Sequence, residues 1–496
     1  MKALGETAWI EARATLTPRA EALRTRHESV SFGELAARAR RTAGLLRAHG
    51  VRRGDVVAML LPNDATFAEW LYAVGCCGAT VLPLNLRLAP RELAFQLRDS
   101  GAGCLVSDAP RAERAQQAGR GLDLRLVPAD AQREAATVGE PCGPTDAPLA
   151  LLYTSGTTGR PKGVELGPES FLHGAVASAI HMGVLPSDRW LACMPLTHVG
   201  GLAILLRCCL YGIPVVLHER FDPAALSRAV DGEGVTLVSL VPTMLARWLD
   251  ERGERPVPPT LRAVLLGGAA ASEQLLERAQ RLGIPVLPTY GLTEAGSQVA
   301  TRVPGDGARP LAGRLRPLLG TSLRIVRDDG SAAPPGEAGE IRVQGPTLMR
   351  GYRRLPQATD AALRGGWLHT GDVGALDADG LLRVLDRRDD LIVSGGENVY
   401  PAEVEAVLSD HPGVREVAVG GREDSDYGER PVAWIVPAAG SPTTQELQRF
   451  CRERLAGYKV PVAFEFVEAL PRSAVGKVRR HALKTGRADA GLYPRA

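Results

Sequence analysis

Tyr153-Thr-Ser-Gly-Thr-Thr-Gly-Arg-Pro-Lys-Gly163 follows an apolar run at 149–152 and is the most informative stretch of the chain. Gly156, Gly159 and Gly163 let the backbone approach a ligand closely, Ser155, Thr157 and Thr158 offer hydroxyls, and Lys162 offers a mobile ammonium. Exposed amides, hydroxyls and one cation are what a polyphosphate needs. The spacing is not that of the GxxxxGK[ST] loop, so the fold usually inferred from that loop does not follow. A Gly/Thr surface loop would have the same composition, and the rest of the chain must decide between them.

The chain has 496 residues, 45% hydrophobic and 23% charged, with a formal net charge of +3. That length is too great for one hydrophobic core and predicts two or more domains. The near-balanced charge gives no argument for nucleic acid or an acidic membrane surface as partner. Basic residues are almost all arginine, with lysine only at Lys2, Lys162, Lys459, Lys477 and Lys484. Arginine replaces lysine on most solvated surfaces but not where a compact, mobile point charge is needed, so each remaining lysine is a candidate for a site. The cysteines are scattered, without a CxxC pair or a Cys/His zinc spacing, and Cys76-Cys77 reads as small core residues. The N-terminal stretch lacks the apolar core of a signal peptide. The most apolar run, 199–206, is cut off by Arg207 and is far too short to span a bilayer. A cytoplasmic location without a membrane span is therefore expected.

Working outward, the first half alternates helix and strand. Ser31-Phe-Gly-Glu34 reads as a capping box opening an amphipathic helix that ends at Gly50. Short apolar runs at 56–61, 79–82, 215–217, 237–240 and 263–266 read as buried strands with helix-like sequence between them. That grammar predicts an α/β body with substantial parallel sheet. Beyond about residue 310, Asp329-Gly330 and Asp379-Gly380 lie between apolar runs as hairpin tips do, predicting an antiparallel sheet or small β-barrel-like part. After Asp386 a compact α+β unit is expected: a helix over 401–408 with Glu403 and Glu405 near its positive end, strands at 414–419 and 432–436, and a capped helix opened by Thr443-x-x-Glu446.

Further segments carry chemistry. Thr289-Tyr-Gly-Leu-Thr-Glu294 follows a strand signal at 286–287, so Glu294 can point into a cleft at a strand's carboxyl end and offer magnesium a hard oxygen. In Leu368-His-Thr-Gly-Asp372, Asp372 could accept hydrogen bonds from ribose hydroxyls, with Arg387 of the 386–401 segment completing the clasp. Pro471-Arg-Ser-Ala-Val-Gly-Lys477 sets a glycine before one of the rare lysines. Taken singly these would be a solvated acid, ion-pair members and a basic loop.

Their order and spacing together resemble the acyl-adenylate-forming superfamily, which includes acyl-CoA synthetases, luciferases and the adenylation domains of peptide synthetases, over nearly the whole chain. The resemblance implies a large N-terminal domain over 1–388 with layered α/β subdomains, a small mobile α+β C-terminal domain over 389–485 and a tail at 486–496. It implies ATP, Mg2+ and coenzyme A as co-substrates and cofactor. By the same matching, Thr154, Ser155, Gly156, Thr157, Thr158 and Lys162 cradle the ATP phosphates. Gly267, Gly268 and Ala269 lie along adenine with Tyr290 and Gly291 beside them. Thr293 holds the α-phosphate and Glu294 the metal, Asp372 and Arg387 hold ribose, and Asp389 is the hinge. Lys477 bridges substrate carboxylate and phosphate, and Ser394, Gly395 and Gly396 flank the pantetheine tunnel. One departure is visible: Asp386 stands where the family has glycine, which leaves the turn before Arg387 open.

The segments Met194–Gly201, Leu265–Ala269, Gly291–Gln298 and Ser394–Glu403, with the stretches 212–221 and 453–461, look most like the o-succinylbenzoate–CoA ligases of menaquinone biosynthesis. On that likeness His198, Ser297 and Gln298 are pocket residues by position, with His198 equally readable as pocket-wall packing. Other readings are a medium-chain or aryl acyl-CoA synthetase, an enzyme loading a separate carrier protein, and a non-catalytic nucleotide-binding protein. A homodimer is allowed by the family. The third reading is disfavoured because Lys477, Glu294 and the glycine-rich stretch are all retained. If Lys477 supplies a preorganised charge in adenylation alone, Lys477→Ala lowers pyrophosphate–ATP exchange roughly 10²–10³-fold and leaves thioester formation from supplied acyl-adenylate largely intact. Equal loss in both half-reactions would refute the two-state use of the C-terminal domain.

Overall fold

The computed structural model describes residues 9–131, 146–155, 161–269, 271, 273–307, 311, 313–386, 392–438, 442–471, 478 and 483. Two compact units emerge. The first comprises Met1–Leu86, Ala94–Tyr153 and Gly163–Asp386, and the second Arg87–Leu93, Thr154–Lys162 and Arg387–Ala496.

The first unit holds the layered α/β part. Strands Val56–Leu60, Thr80–Pro83 and Cys104–Ser107 run parallel and are buried at every position, which is why they read as unbroken apolar runs rather than as alternation. In a second sheet Trp190–Ala192, Val215–Leu217, Leu237–Leu240 and Ala263–Leu266 are again parallel and fully buried. Helix Phe32–Ala48 starts as expected, with the Ser31 side chain accepting from the Glu34 N–H and the Glu34 carboxylate accepting from the Ser31 N–H. Cys76, Cys77, Cys104, Cys193, Cys208 and Cys209 are free and buried. Burial pushes the thiols of Cys76, Cys104 and Cys193 up to about 12, so these are core residues rather than nucleophiles.

The antiparallel part expected beyond residue 310 is present, and it continues this second sheet. Strand Val286–Leu292 is parallel to Ala263–Leu266 on one side and antiparallel to Ser297–Arg302 on the other. From there the path passes through Leu315–Pro317, Leu382–Asp386, Trp367–Leu376 and Gly339–Gln344 to Ser322–Val326, giving 14 strands in one sheet among the described residues. Gly330 and Gly380 sit at positive φ (85° and 75°), as hairpin tips demand. Asp386 closes the strand Leu382–Asp386 opposite Val373, so the residue that departs from the family pattern is extended there.

The second unit has a sheet of Ile392–Ser394, Glu397–Val399, Val414–Asp424, Gly428–Pro437 and Ala463–Phe466, with helices Pro401–Ser409 and Thr444–Arg452. Thr443 and Glu446 form the expected capping box. Glu403, read in sequence as a helix-dipole acid, has another task. The Lys459 ammonium, 4% exposed, donates to Glu403 Oε1 and to Glu92 Oε1, each at 2.7 Å. Burial works against the charged ammonium, but the two carboxylates outweigh it and hold Lys459 well above the ordinary lysine range. One of the five lysines is thus a structural cation. No helix among the described residues is long and apolar enough to cross a membrane.

Removing one partner of a buried ion pair strands the other, at a cost of about 3–5 kcal/mol. Lys459→Ala is therefore expected to lower the unfolding midpoint markedly. The loss should be smaller at pH 5 than at pH 8. Burial already raises the Glu403 carboxyl, and a group with a raised folded pKa weakens the fold progressively as pH climbs past its unfolded value. Thermal unfolding of variant and parent across that range measures it.

Candidate active site

Strand Val286–Leu292 carries Tyr290 and Gly291, and the 3-10 turn Thr293–Ala295 behind it carries Thr293 and Glu294. Gly296 ends that turn in the left-handed region, and the chain returns as Ser297–Arg302. The return is tight enough that a Cβ on Gly291 would lie 1.8 Å from the Ser297 carbonyl oxygen, so only glycine fits. Ser297 itself has φ 116°, a strained backbone for a side-chain-bearing residue, and such strain gathers at functional sites. Gly267 is equally confined, since a Cβ there would lie 2.9 Å from Thr289 Cγ2, and Gly268 has φ 83°. Gly267 to Ala269, just past strand Ala263–Leu266, thus pack closely against Thr289 and Val241 with little side chain of their own.

Each of the two carboxylates assigned to the nucleotide is held by a tyrosine. The Tyr290 hydroxyl donates to Asp372 Oδ2 at 2.7 Å, and the Tyr352 hydroxyl donates to Glu294 Oε1 at 2.9 Å. The Asp372 N–H also donates to Thr370 Oγ1, which donates in turn to the Ile341 carbonyl. Among the described residues Glu294 Oε2 makes no hydrogen bond. One hard anionic oxygen left open suits magnesium, which takes few protein ligands and is completed by phosphate and water.

Gln298, next to Ser297 on the returning strand, meets Arg207. Helix Val199–Tyr211 begins after His198, whose carbonyl accepts from the N–H groups of Gly201 and Leu202. Further along it lies Arg207, 5% exposed, donating to Gln298 Oε1 at 2.8 Å, to Ser178 Oγ at 3.2 Å and to the Ala203 carbonyl, with its guanidinium 5.1 Å from the Trp190 ring. All these partners are neutral, and no carboxylate pairs with Arg207 among the described residues. Burial draws its pKa below the ordinary arginine value. Gln298 continues to Thr301 Oγ1, and Thr301 to Thr289 Oγ1 at 2.7 Å, so one polar chain runs from Arg207 to the residue packed against Gly267. Thr197 Oγ1, next to His198 in sequence, is buried without a hydrogen-bond partner among the described residues. Gln298 and Ser297 were candidates from sequence, whereas Arg207, Thr197 and Tyr352 enter only from the structure. For Arg207 the signal was at hand, because an arginine ending an apolar run within a buried helix is an expensive placement.

Other sequence-derived residues are placed separately. Thr154 is the penultimate residue of the strand Ala150–Ser155 and Lys162 lies in Pro161–Leu166, both grouped with the second unit. The Tyr153 hydroxyl donates to Asp99 Oδ2 at 2.6 Å and anchors that strand in the first unit. Ser394, Gly395 and Gly396 form a tight hairpin to Glu397–Val399, with φ of 59° and 85° at the glycines and the Gly395 N–H donating to the Tyr427 carbonyl. That turn alone requires the glycines. Gly156, Thr157, Thr158, Arg387, Asp389 and Lys477, with the side chain of Ser155, lie outside the described residues.

Residues 10–353 match the AMP-binding enzyme family and residues 403–477 the AMP-binding enzyme C-terminal domain. A 2-succinylbenzoate–CoA ligase of Geobacillus kaustophilus (strain HTA426) is 44% identical over 477 residues, spanning 96% of this chain and 97% of that protein. A solved double mutant of the o-succinylbenzoate CoA synthetase of Bacillus subtilis, bound with its product analogue OSB-NCoA, is 40% identical, with 98% of each chain covered and a TM-score of 0.91. The B. subtilis synthetase in complex with ATP and magnesium ion is 41% identical, covering 96% of this chain and 99% of that one with a TM-score of 0.74.

The Tyr290–Asp372 bond yields a direct test. Tyr290→Phe keeps the ring and removes the donor, so the KM for ATP should rise by about tenfold, the worth of one hydrogen bond to a charged group. With 2′,3′-dideoxy-ATP, which has no hydroxyls for Asp372 to hold, parent and variant should not differ.

Proposed function

The chain belongs to the AMP-binding enzyme family, and from that premise we propose that it joins o-succinylbenzoate to coenzyme A through an acyl-adenylate, releasing pyrophosphate and AMP. The observation that carries the substrate assignment is Arg207. A guanidinium withdrawn from water and surrounded by neutral groups costs several kcal/mol unless an anion meets it. o-Succinylbenzoate has two carboxylates, one aliphatic and activated, the other on the ring and available for recognition. The ring carboxylate would supply the anion that Arg207 lacks among the described residues, with Gln298 aligning the guanidinium. A medium-chain or simple aryl acid has no second anion to offer.

The chemistry follows from charge. The aliphatic carboxylate attacks the α-phosphorus and pyrophosphate departs, and the coenzyme A thiol then attacks the acyl carbon and AMP departs. Glu294 Oε2 would hold magnesium, which when bound offsets the repulsion between the anionic partners. Asp372 and Arg387 hold the ribose, Thr293 the α-phosphate, and the Gly267–Ala269 backbone admits adenine. Thr154, Ser155, Gly156, Thr157, Thr158 and Lys162 serve the departing pyrophosphate, and Lys477 brings a cation to the adenylation step. The domain boundary falls at 388/389 with Asp389 as hinge, and Ser394, Gly395 and Gly396 flank the thiol's path. The working setting is the cytoplasm.

Release of AMP with each acid, with and without coenzyme A, tests the reading. o-Succinylbenzoate should far exceed 4-oxo-4-phenylbutanoate, which differs only by lacking the ring carboxylate. In Arg207→Met that preference should collapse, with a loss of about 2–5 kcal/mol in kcat/KM for o-succinylbenzoate alone. The melting temperature should hold or rise, since an uncompensated buried charge is removed. Equal use of both acids by the parent enzyme would sink the assignment.

A further inference from the structure

We propose that Tyr352 is a positioning residue for the metal: its hydroxyl occupies one oxygen of Glu294, makes the carboxylate a one-oxygen ligand, and thereby favours magnesium over calcium. This rests on the reading of Glu294 as the metal carboxylate.

Glu294 is gripped at both ends by one short segment. The Met349 N–H donates to its backbone carbonyl at 2.8 Å, and the Tyr352 hydroxyl donates to its Oε1 at 2.9 Å. The segment is itself fixed. Gly351 and Tyr352 pair antiparallel with Glu165 and Val164, flanked by the Arg350 N–H on the Glu165 carbonyl and the Arg353 N–H on the Gly163 carbonyl. The Tyr352 N–H donates to Thr359 Oγ1 at 2.9 Å, and Thr359 Oγ1 donates to the Leu355 carbonyl. Tyr352 is 8% exposed, so its hydroxyl has little water to turn to and its ring has little room to swing. The phenol therefore reaches Glu294 from a rigid base.

The consequence is geometric. Calcium is large and readily takes both oxygens of a carboxylate, whereas magnesium demands near-octahedral geometry at shorter distance and binds through few protein oxygens. With Oε1 engaged as an acceptor, Oε2 alone remains among the described residues, which meets the second requirement and defeats the first. Phenylalanine at this position would preserve packing and release Oε1.

The test measures ATP affinity by calorimetry in EDTA, in magnesium and in calcium, without turnover. In the parent enzyme magnesium should tighten ATP binding more than calcium does. In Tyr352→Phe the tightening by magnesium should fall about tenfold, while affinity in EDTA stays within about twofold, so the magnesium-over-calcium ratio drops. In a Glu294→Gln background, adding Tyr352→Phe should change nothing further, because the hydroxyl acts through that carboxylate. An unchanged ratio in Tyr352→Phe, or an equal loss in EDTA, would overturn the proposal while leaving Glu294 as the metal ligand. If magnesium fails to tighten binding in the parent, the metal reading of Glu294 falls too, and the two failures are distinguished by the parent curve alone.

Discussion

The turn after strand Val286–Leu292 has no space for a side chain at Gly291, and that exclusion governs the rest of the site. The 1.8 Å separation between a notional Cβ and the Ser297 carbonyl oxygen means that two strands pass each other closer than any other residue allows. Before the crossing the strand belongs to a parallel sheet, and after it the chain runs antiparallel. Brought to one place are Tyr290, Thr293 and Glu294 on the outgoing side, and Ser297 and Gln298 on the return. The residues proposed for nucleotide chemistry and those proposed for acyl recognition are thereby neighbours on a single hairpin. The strain at Ser297, with φ 116°, is the local consequence of that compression.

Two buried cations show how differently charge can be used in one chain. Lys459 lies between two carboxylates and is complete as it stands. Arg207 is as deeply buried, yet its hydrogen bonds end on an amide, a hydroxyl and a carbonyl, with an indole ring alongside. The first arrangement stabilises a unit. The second is unfavourable in isolation and is rational only if an anion arrives, so the two should respond oppositely to neutralisation. Burial alone would not have separated them; the inventory of partners does.

Much of the fold was legible because buried parallel strands write themselves as short apolar runs. The runs at 215–217, 237–240 and 263–266 coincide with observed strands, and both capping boxes are formed. The antiparallel character beyond residue 310 could be read from Asp-Gly tips, but its continuity with the parallel sheet could not. That continuity depends on a strand whose two edges differ, and local sequence does not encode edges. The candidate site could be named from motif spacing at Glu294, Asp372 and Gln298, each of which makes a side-chain hydrogen bond. It was not legible at Tyr352 or Arg207, whose roles come from partners 58 and 91 residues away in sequence. The scarcity of lysine was a sound cue with an incomplete conclusion, because at Lys459 it marked a structural ion pair.

The choice of tyrosine at positions 290 and 352 has a physical reason. On the proposed function both phenols hold acids whose negative charge serves another partner, ribose hydroxyls at Asp372 and a divalent cation at Glu294. A lysine or arginine would bind either carboxylate more tightly, through a charge-assisted bond. It would also cancel the charge, weakening the attraction for a metal and adding a cation whose own desolvation must be met. A neutral hydroxyl fixes the direction of one oxygen and leaves the formal charge in place on the group. Its ring meanwhile fills apolar space that a shorter serine or threonine would leave open. An acid that must be both rigid and anionic is therefore best held by a buried phenol, and this chain uses that solution at Asp372 and at Glu294.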